Sequence, residues 1–409
     1  MKDYRRLTSM LRTFLLFFLI LTSTLLLFRA SAFADETGVK ATGYARNFFI
    51  LTNLGDDMAF DALSRLRLRL NVKPSESSYF EVAYELVPGF RDGDISSAYV
   101  PGPALFSYRA VDLDENIYPP DKNSGSDFVL AQNLDRLLLT LSTSALDISI
   151  GRQSIAFGSA RVINPTDIIA PFVYNTIAKE ELVGADALRV KTPLSEMGEL
   201  DMGIVFGDDF EPDKSAGFIR LKTYQVQTDI AFMVMVFRKN ILVGIDLARS
   251  IGGAGAWFEA AQVFAQGASG ENYLRLSVGA DYSFTDGLYT YIEYHYSGAG
   301  TGSPENYFNA IAETAFTDGA VYLLGRHYIA PGLTYEITPL LVFSAQALVN
   351  VEDWSALGST GFEYNAAEDV YVNLGAYVGL GQESDDPTRP ENEFGLYPDV
   401  YYTALNFYF

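Results

Sequence analysis

The chain closes on Val400-Tyr401-Tyr402-Thr403-Ala404-Leu405-Asn406-Phe407-Tyr408-Phe409, an aromatic stretch whose last residue is itself a phenylalanine. Side chains alternate faces along a strand, so Leu405, Phe407 and Phe409 share one face while Ala404 and Asn406 share the other. A strand at a free end presents a row of unpaired backbone groups unless something covers it. Two folds answer that demand. One is a soluble β protein with a terminal strand; the other is a transmembrane barrel, whose last strand pairs with its first and leaves no edge.

The same alternation runs through the chain. Leu66, Leu68, Leu70 and Val72 alternate with Arg65, Arg67, Arg69 and Asn71. Phe80, Val82, Tyr84 and Leu86 then alternate with Glu81 and Glu85. In a soluble sandwich the arginine row is a solvated face; in a barrel it lines the lumen. No helical periodicity is sustained, and no run after the N-terminus is long and apolar enough for a membrane helix. Strands are expected near 39–52, 65–72, 79–87, 133–143, 146–157, 185–192, 199–206, 217–224, 227–237, 241–250, 256–266, 273–284, 288–297, 320–338, 340–351, 357–366 and 370–380, before the closing stretch. That makes about eighteen, or sixteen if the eighth and ninth merge. The long connections, 88–126, 158–183, 207–214, 298–319 and 381–398, all follow odd strands, and those after even strands are short. Long external loops and short periplasmic turns give a transmembrane barrel this parity. The expected fold is an all-β, transmembrane antiparallel β-barrel. No fixed-period repeat points to a propeller or solenoid.

Lys2, Arg5, Arg6 and Arg12 precede an apolar run from Phe14 to Phe28 and a small-x-small site at Ala32-Phe33-Ala34. This reads as a signal peptide over 1–34, with an uncleaved anchor as the alternative, and leaves 35–409 as one barrel domain. Removing 1–34 takes away five bases and one acid and carries the net charge from −22 to −26. So acidic a chain repels nucleic acid. With no cysteine, disulfides, thiol catalysis and cysteine metal sites are excluded.

Strand parity names the lumen candidates. The inward bases are Arg65, Arg67, Arg69, Arg136, Arg189, Lys191, Arg220, Lys222, Arg275 and Arg326; the inward acids include Glu81, Glu85, Asp229, Asp246, Asp281 and Glu293. Bases dominate the early strands and acids the later ones, which predicts a field across the pore. The arginine row either lines a constriction or braces the wall by pairing with Glu81 and Glu85. The acidic external loops suit divalent bridging to lipopolysaccharide or plain solvation, and none has the spacing of a metal loop, so no metal or other cofactor is expected.

Asn164-Pro165-Thr166-Asp167 is turn chemistry, and Asp167 can cap a helical turn at Ile168-Ile169. The surrounding loop is unusually apolar. It is expected to fold inward, with Arg152, Arg161 or Arg189 meeting Asp167 and a bulge at Gly151 turning Arg152 in. Gly151-Arg152-Gln153, Phe157-Gly158, Asn164-Pro165-Thr166-Asp167, Pro171-Phe172 and Gly184-Ala185-Asp186-Ala187-Leu188-Arg189 together resemble a family of porin-like Gram-negative outer-membrane β-barrels, which often carry Trp-Gly where this chain has Phe157-Gly158. The resemblance implies an outer-membrane channel with both termini periplasmic, and names no solute. The terminal Phe409 also resembles the signal read by the barrel-assembly machinery.

Enzymatic readings have little to stand on. His295 and Ser297 share a strand face with Asn309 downstream, as in an outer-membrane lipid hydrolase, but Asn309 falls in a loop and His295 faces inward. The expectation is therefore a porin-like channel for passive diffusion of small polar or charged solutes. The alternatives are a barrel plugged by residues 88–126 and 158–183, serving structure or export, and the lipid hydrolase.

Overall fold

A computed structural model describes residues 38–54, 57–91, 108–120, 126–171, 174, 181–266, 270–318, 321–382 and 391–409. The expected leader and part of the motif loop, Phe172 included, lie outside the described residues. Nineteen strands form one sheet, of which eighteen make a closed antiparallel cylinder and one, Asn116–Tyr118, runs along part of its edge. The wall strands are β1 (Val39–Leu54), β2 (Asp57–Ser75), β3 (Ser78–Arg91), β4 (Phe128–Ser142), β5 (Asp147–Gln153), β6 (Ala185–Ser195), β7 (Gly198–Val205), β8 (Ala216–Gln225) and β9 (Thr228–Phe237). The other half comprises β10 (Asn240–Ile251), β11 (Ala254–Ala265), β12 (Tyr273–Ser283), β13 (Leu288–Ser297), β14 (His327–Thr338), β15 (Leu341–Asn350), β16 (Ala356–Ala367), β17 (Val370–Leu380) and β18 (Asp399–Tyr408).

β18 closes on β1 in continuous register from Tyr44↔Tyr408 to Asn53↔Asp399. The ladder includes the last residue: Gly43 N–H donates to the Phe409 carbonyl at 2.8 Å and Phe409 N–H to the Gly43 carbonyl at 3.0 Å. Connections after even strands, such as 76–77, 196–197, 226–227 and 368–369, are tight. Those at the other end include 92–127, 154–184, 298–326 and 381–398. The eighth and ninth strands are separate. Val226 and Gln227 turn between them with φ of 52° and 57°, a left-handed pair of the hairpin type that these residues adopt at about 1–2 kcal/mol each.

Alternation sets the two faces. On β9, Phe232, Val234 and Val236 stand exposed on the outside while Met233, Met235 and Phe237 are buried within. Several boundaries differ from the sequence reading, among them the following three. β5 stops at Gln153 rather than Phe157, because the chain there leaves the wall. β14 starts at His327 rather than 320, because Val321, Leu323 and Leu324 are taken up in the interior clusters before the strand begins; upstream, Pro304–Asn306, Tyr307–Ile311 and Thr314–Thr317 form short helical turns. β2 begins well before Arg65, at Asp57.

The wall has two irregularities. Opposite β3 the register passes from Ala83↔Arg136 to Tyr84↔Leu134, so Asp135 is an extra residue in a bulge. Beside it, β4 pairs with the short β5 only from Leu137 to Ser142. Above that point its edge is taken by Asn116–Tyr118 and by a bond from Gln132 N–H to the Glu115 carbonyl (2.8 Å). The same segment bonds β6, where Asp186 N–H donates to the Tyr108 carbonyl at 2.8 Å. Residues 108–118 thus fill the upper wall between β4 and β6.

Within the cylinder, inward residues of β6–β12, among them Phe218, Met233, Met235, Phe237, Leu242 and Val263, form one cluster with Ile155, Phe157, Ile168 and Ile169 of the β5–β6 loop and Tyr307, Phe316, Val321 and Leu324 of the β13–β14 loop. A second cluster joins Ile163, Tyr174, Leu323, Tyr328, Leu348, Leu357 and Phe394. The apolar core of this protein lies inside the barrel, between wall and inturned loops.

Candidate functional site

One side of the interior is a charged wall. Arg67 on β2 is almost fully buried and meets Glu85 (2.8 Å), Asp135 (2.7 Å) and Glu181 (3.4 Å). Arg69 reaches Glu81 (3.2 Å) and Glu181 (3.0 Å), and Arg136 meets Asp135 at 2.6 Å. Arg67–Glu85 and Arg69–Glu81 are the neighbour-strand pairs that bracing requires. Arg65, in register with Arg46, has neither a hydrogen bond nor an ion pair to any described residue. Next along, Arg189 donates two hydrogen bonds to Asp201 (2.8 and 2.6 Å), Lys191 lies 3.6 Å from Glu199, Arg220 3.9 Å from Asp246 and Lys222 3.7 Å from Asp229.

The β5–β6 loop runs round this interior. Gly158 lies against the Glu259 carboxylate of β11, with φ +96° and no room for a side chain. Ala160 N–H and Thr166 N–H and Oγ1–H donate to Glu259, the last two at 2.7 and 2.6 Å. Glu293 of β13 accepts from three successive backbone N–H groups, Arg161 (2.8 Å), Val162 (3.3 Å) and Ile163 (2.9 Å), and from the Trp257 indole (2.9 Å). The Arg161 side chain pairs with Asp281 at 2.9 Å. Tyr174 then packs with Leu348 and Leu357 of β15 and β16, and Glu181 returns to Arg67 and Arg69. The described parts of the segment therefore touch the wall on most sides of the interior.

The motif turns toward the wall. Asp167 N–H bonds the Asn164 carbonyl (3.2 Å), the Pro165 carbonyl accepts from Arg275 (3.2 Å), and Ala170 N–H donates to Asp167 Oδ1 (3.4 Å). Burial, opposed by the backbone bond from Ala170, raises the Asp167 carboxyl to about 7. None of the expected arginines meets Asp167: Arg161 takes Asp281, Arg189 takes Asp201, and Arg152 takes Asp186 (2.8 Å) and Asp112 (2.8 Å). The ladders of β5 show no shift at Gly151, so Arg152 keeps its outward parity and clamps residues 108–118, donating also to the Val111 and Leu134 carbonyls (2.6 and 2.7 Å). Burial opposes it, yet the Arg109 and Arg152 guanidiniums hold the Asp112 carboxyl below its usual range. Arg326 stands just before β14 and bonds the Gly300 carbonyl.

The hydrolase geometry is not assembled. His295 Nδ1 bonds Ser277 Oγ at 2.8 Å, and Ser277 in turn donates to the Ile163 carbonyl (2.7 Å). Ser297 Oγ is buried with no hydrogen-bond partner among the described residues.

Sequence parity missed several residues that organise this interior. Asp135 turns inward only because of the bulge, which nothing in the pattern announces. Glu181 belongs to a loop. Glu259 is an alternation-inward acid whose role appears only once the loop is seated on it. Glu393, in the β17–β18 loop, accepts from Leu324 N–H (2.9 Å) and Asn350 (2.8 Å) and from the Tyr328 hydroxyl, and burial raises its carboxyl to about 7.

No protein-family model and no curated protein matches the chain. Solved structures do match in fold. OccAB4 of Acinetobacter baumannii aligns with a TM-score of 0.59 at 9% identity, over 92% of this chain and 99% of that one. OpdK of Pseudomonas aeruginosa, solved with vanillate, aligns at 0.57 and 10% identity, over 92% and 100%. OccK5 (OpdH) of the same organism aligns at 0.55 and 11% identity, over 91% and 97%. At these identities what is shared is the closed antiparallel barrel.

Proposed function

We propose that the chain is a porin-like channel of a Gram-negative outer membrane, passing small polar or charged solutes by diffusion. The observation that carries the reading is the β5–β6 loop laid along the inner wall and held by Glu259, Glu293 and the Glu181–Arg67–Arg69 contacts. A loop pinned in this way narrows a charged bore without belonging to its wall. The apolar outer face and the fold shared with OpdK, whose crystal structure is described as that of an outer membrane protein, support the location. The start of β1 and the end of β18 lie at the end with short connections, which supports a periplasmic placement of that end. Bases are frequent on β2–β8 and acids on β10–β13, and the candidate pore-lining set is the one named from parity, with Arg65 the base that pairs with no described residue.

Purified, refolded protein in a planar bilayer tests this. Stable conductance steps, with a reversal potential that shifts when Arg65 becomes Glu, are the expected result. A folded barrel that never conducts would overturn it in favour of the plugged barrel, which the loop-filled cluster inside β6–β12 favours.

A further inference from the structure

The side of the bore away from the arginines is built differently. β13 to β18 contain no lysine or arginine; their inward positions carry tyrosines, glycines and uncharged polar residues beside a few aliphatic ones, and the charged groups among them are the acids Glu293, Glu336 and Glu363. Two of these tyrosines share one arrangement. Tyr291 on β13 pairs with Gly332 on β14, its ring occupies the space a Gly332 side chain would need, and its hydroxyl reaches Gln346 on β15 at 2.7 Å. Tyr402 on β18 pairs with Gly375 on β17, covers it in the same way, and its hydroxyl ends near Gly361 on β16. A ring that starts on one strand, crosses a glycine and ends over the next strand lies along the wall and offers its face to the lumen. The two rings lean toward each other, and their tips end on adjacent strands, where Gln346 pairs with Ser359 and Ser344 with Gly361. Both rings are only partly buried.

From this geometry we propose, resting on the channel reading above, that Tyr291 and Tyr402 form a stacking surface for neutral sugars, the pyranose faces lying on the rings and the hydroxyl rim meeting Gln346 and its polar neighbours. Aromatic faces take flat apolar surfaces whatever their source. The choice between a sugar and an aromatic acid is made by charge: a carboxylate stacked here finds no base on these six strands, whereas hydroxyl groups find amide and hydroxyl partners.

The test is interruption of single-channel current by a linear neutral hexose oligomer, compared with polyethylene glycol of similar size and with benzoate. Concentration-dependent block by the oligosaccharide, stronger than by either control, is expected. Tyr402→Phe keeps the ring and should keep the block, while Tyr402→Ala should weaken it about tenfold. Gly375→Ala leaves every tyrosine in place but lifts the ring, and should weaken the block as much. Sugar block no stronger than that of the polymer, stronger block by benzoate, or indifference to Tyr402→Ala overturns the proposal. If the protein folds but does not conduct, calorimetry of oligosaccharide binding to micellar protein separates the two ideas. Binding that Tyr402→Ala removes overturns the channel alone, and no binding overturns both.

Discussion

Replacing Glu293 with alanine should release the β5–β6 loop from the wall while leaving the barrel closed. Its carboxylate is the acceptor for Arg161, Val162 and Ile163 N–H at 2.8–3.3 Å, and for the Trp257 indole. Truncation strands three backbone donors in a buried site, each at a cost of about 1–3 kcal/mol. Part of that is recovered because a carboxylate no longer has to be desolvated, which leaves a net loss of about 3–5 kcal/mol in docking. At 1.4 kcal/mol per factor of ten, the amides of 161–163 should exchange with solvent at least about 10²-fold faster. Amides in the flanking β12–β14 ladders should keep their protection. Hydrogen exchange resolved by mass spectrometry on micellar protein reads both. The same variant should show larger or noisier conductance steps, because the narrowing element is loose. Unchanged exchange at 161–163 with a folded barrel would refute the view that this carboxylate holds the loop.

Other perturbations have defined outcomes. Arg67→Ala leaves Glu85, Asp135 and Glu181 without their shared buried cation, and should lower thermal stability by about 3–5 kcal/mol, read as a depressed unfolding midpoint. Arg65→Glu breaks no ion pair among the described residues and should leave that midpoint in place while shifting ion selectivity toward cations. The Glu393 carboxyl, raised by burial from 4.5 to about 7, binds its proton more tightly in the folded state. Its contribution to loop docking is therefore complete below about pH 4.5 and is lost as pH rises through about 7. Proteolysis of the β17–β18 loop should accelerate between pH 5 and 8, and Glu393→Gln should flatten that profile.

What the sequence made legible was whatever repeats with period two or differs in length. The face assignment of β2 follows from Leu68 and Leu70 against Arg67 and Arg69, and the closure of the barrel from the alternation up to Phe409. Loop parity located the end that carries the long segments. Bends in the pattern stayed hidden. Asp135 acquires its place only by a bulge, and Val226-Gln227 turns a hairpin without the residues that usually advertise one. The inturned loop was anticipated from its apolar content, yet its anchors were misjudged. Arginines are conspicuous in a sequence, whereas the partners of this loop are its own backbone N–H groups, which every residue possesses. Arg152 was expected to need a bulge; its clamp on Val111 and Asp112 is formed from the outward face by a segment forty residues upstream.

That clamp bears on how the cylinder can be completed. A barrel whose wall follows chain order is finished when its first and last strands meet. Here the meeting of β1 and β18 finishes only the lower circumference, because the upper gap between β4 and β6 is filled by residues 108–118, which precede both strands in the chain. Their seat does not exist until β4, β5 and β6 stand side by side and Arg152 and Asp186 have come together. Assembly of this protein thus has two closing events. The second is the fitting of a stave into a slot, held as much by guanidinium and carboxylate as by the ladder.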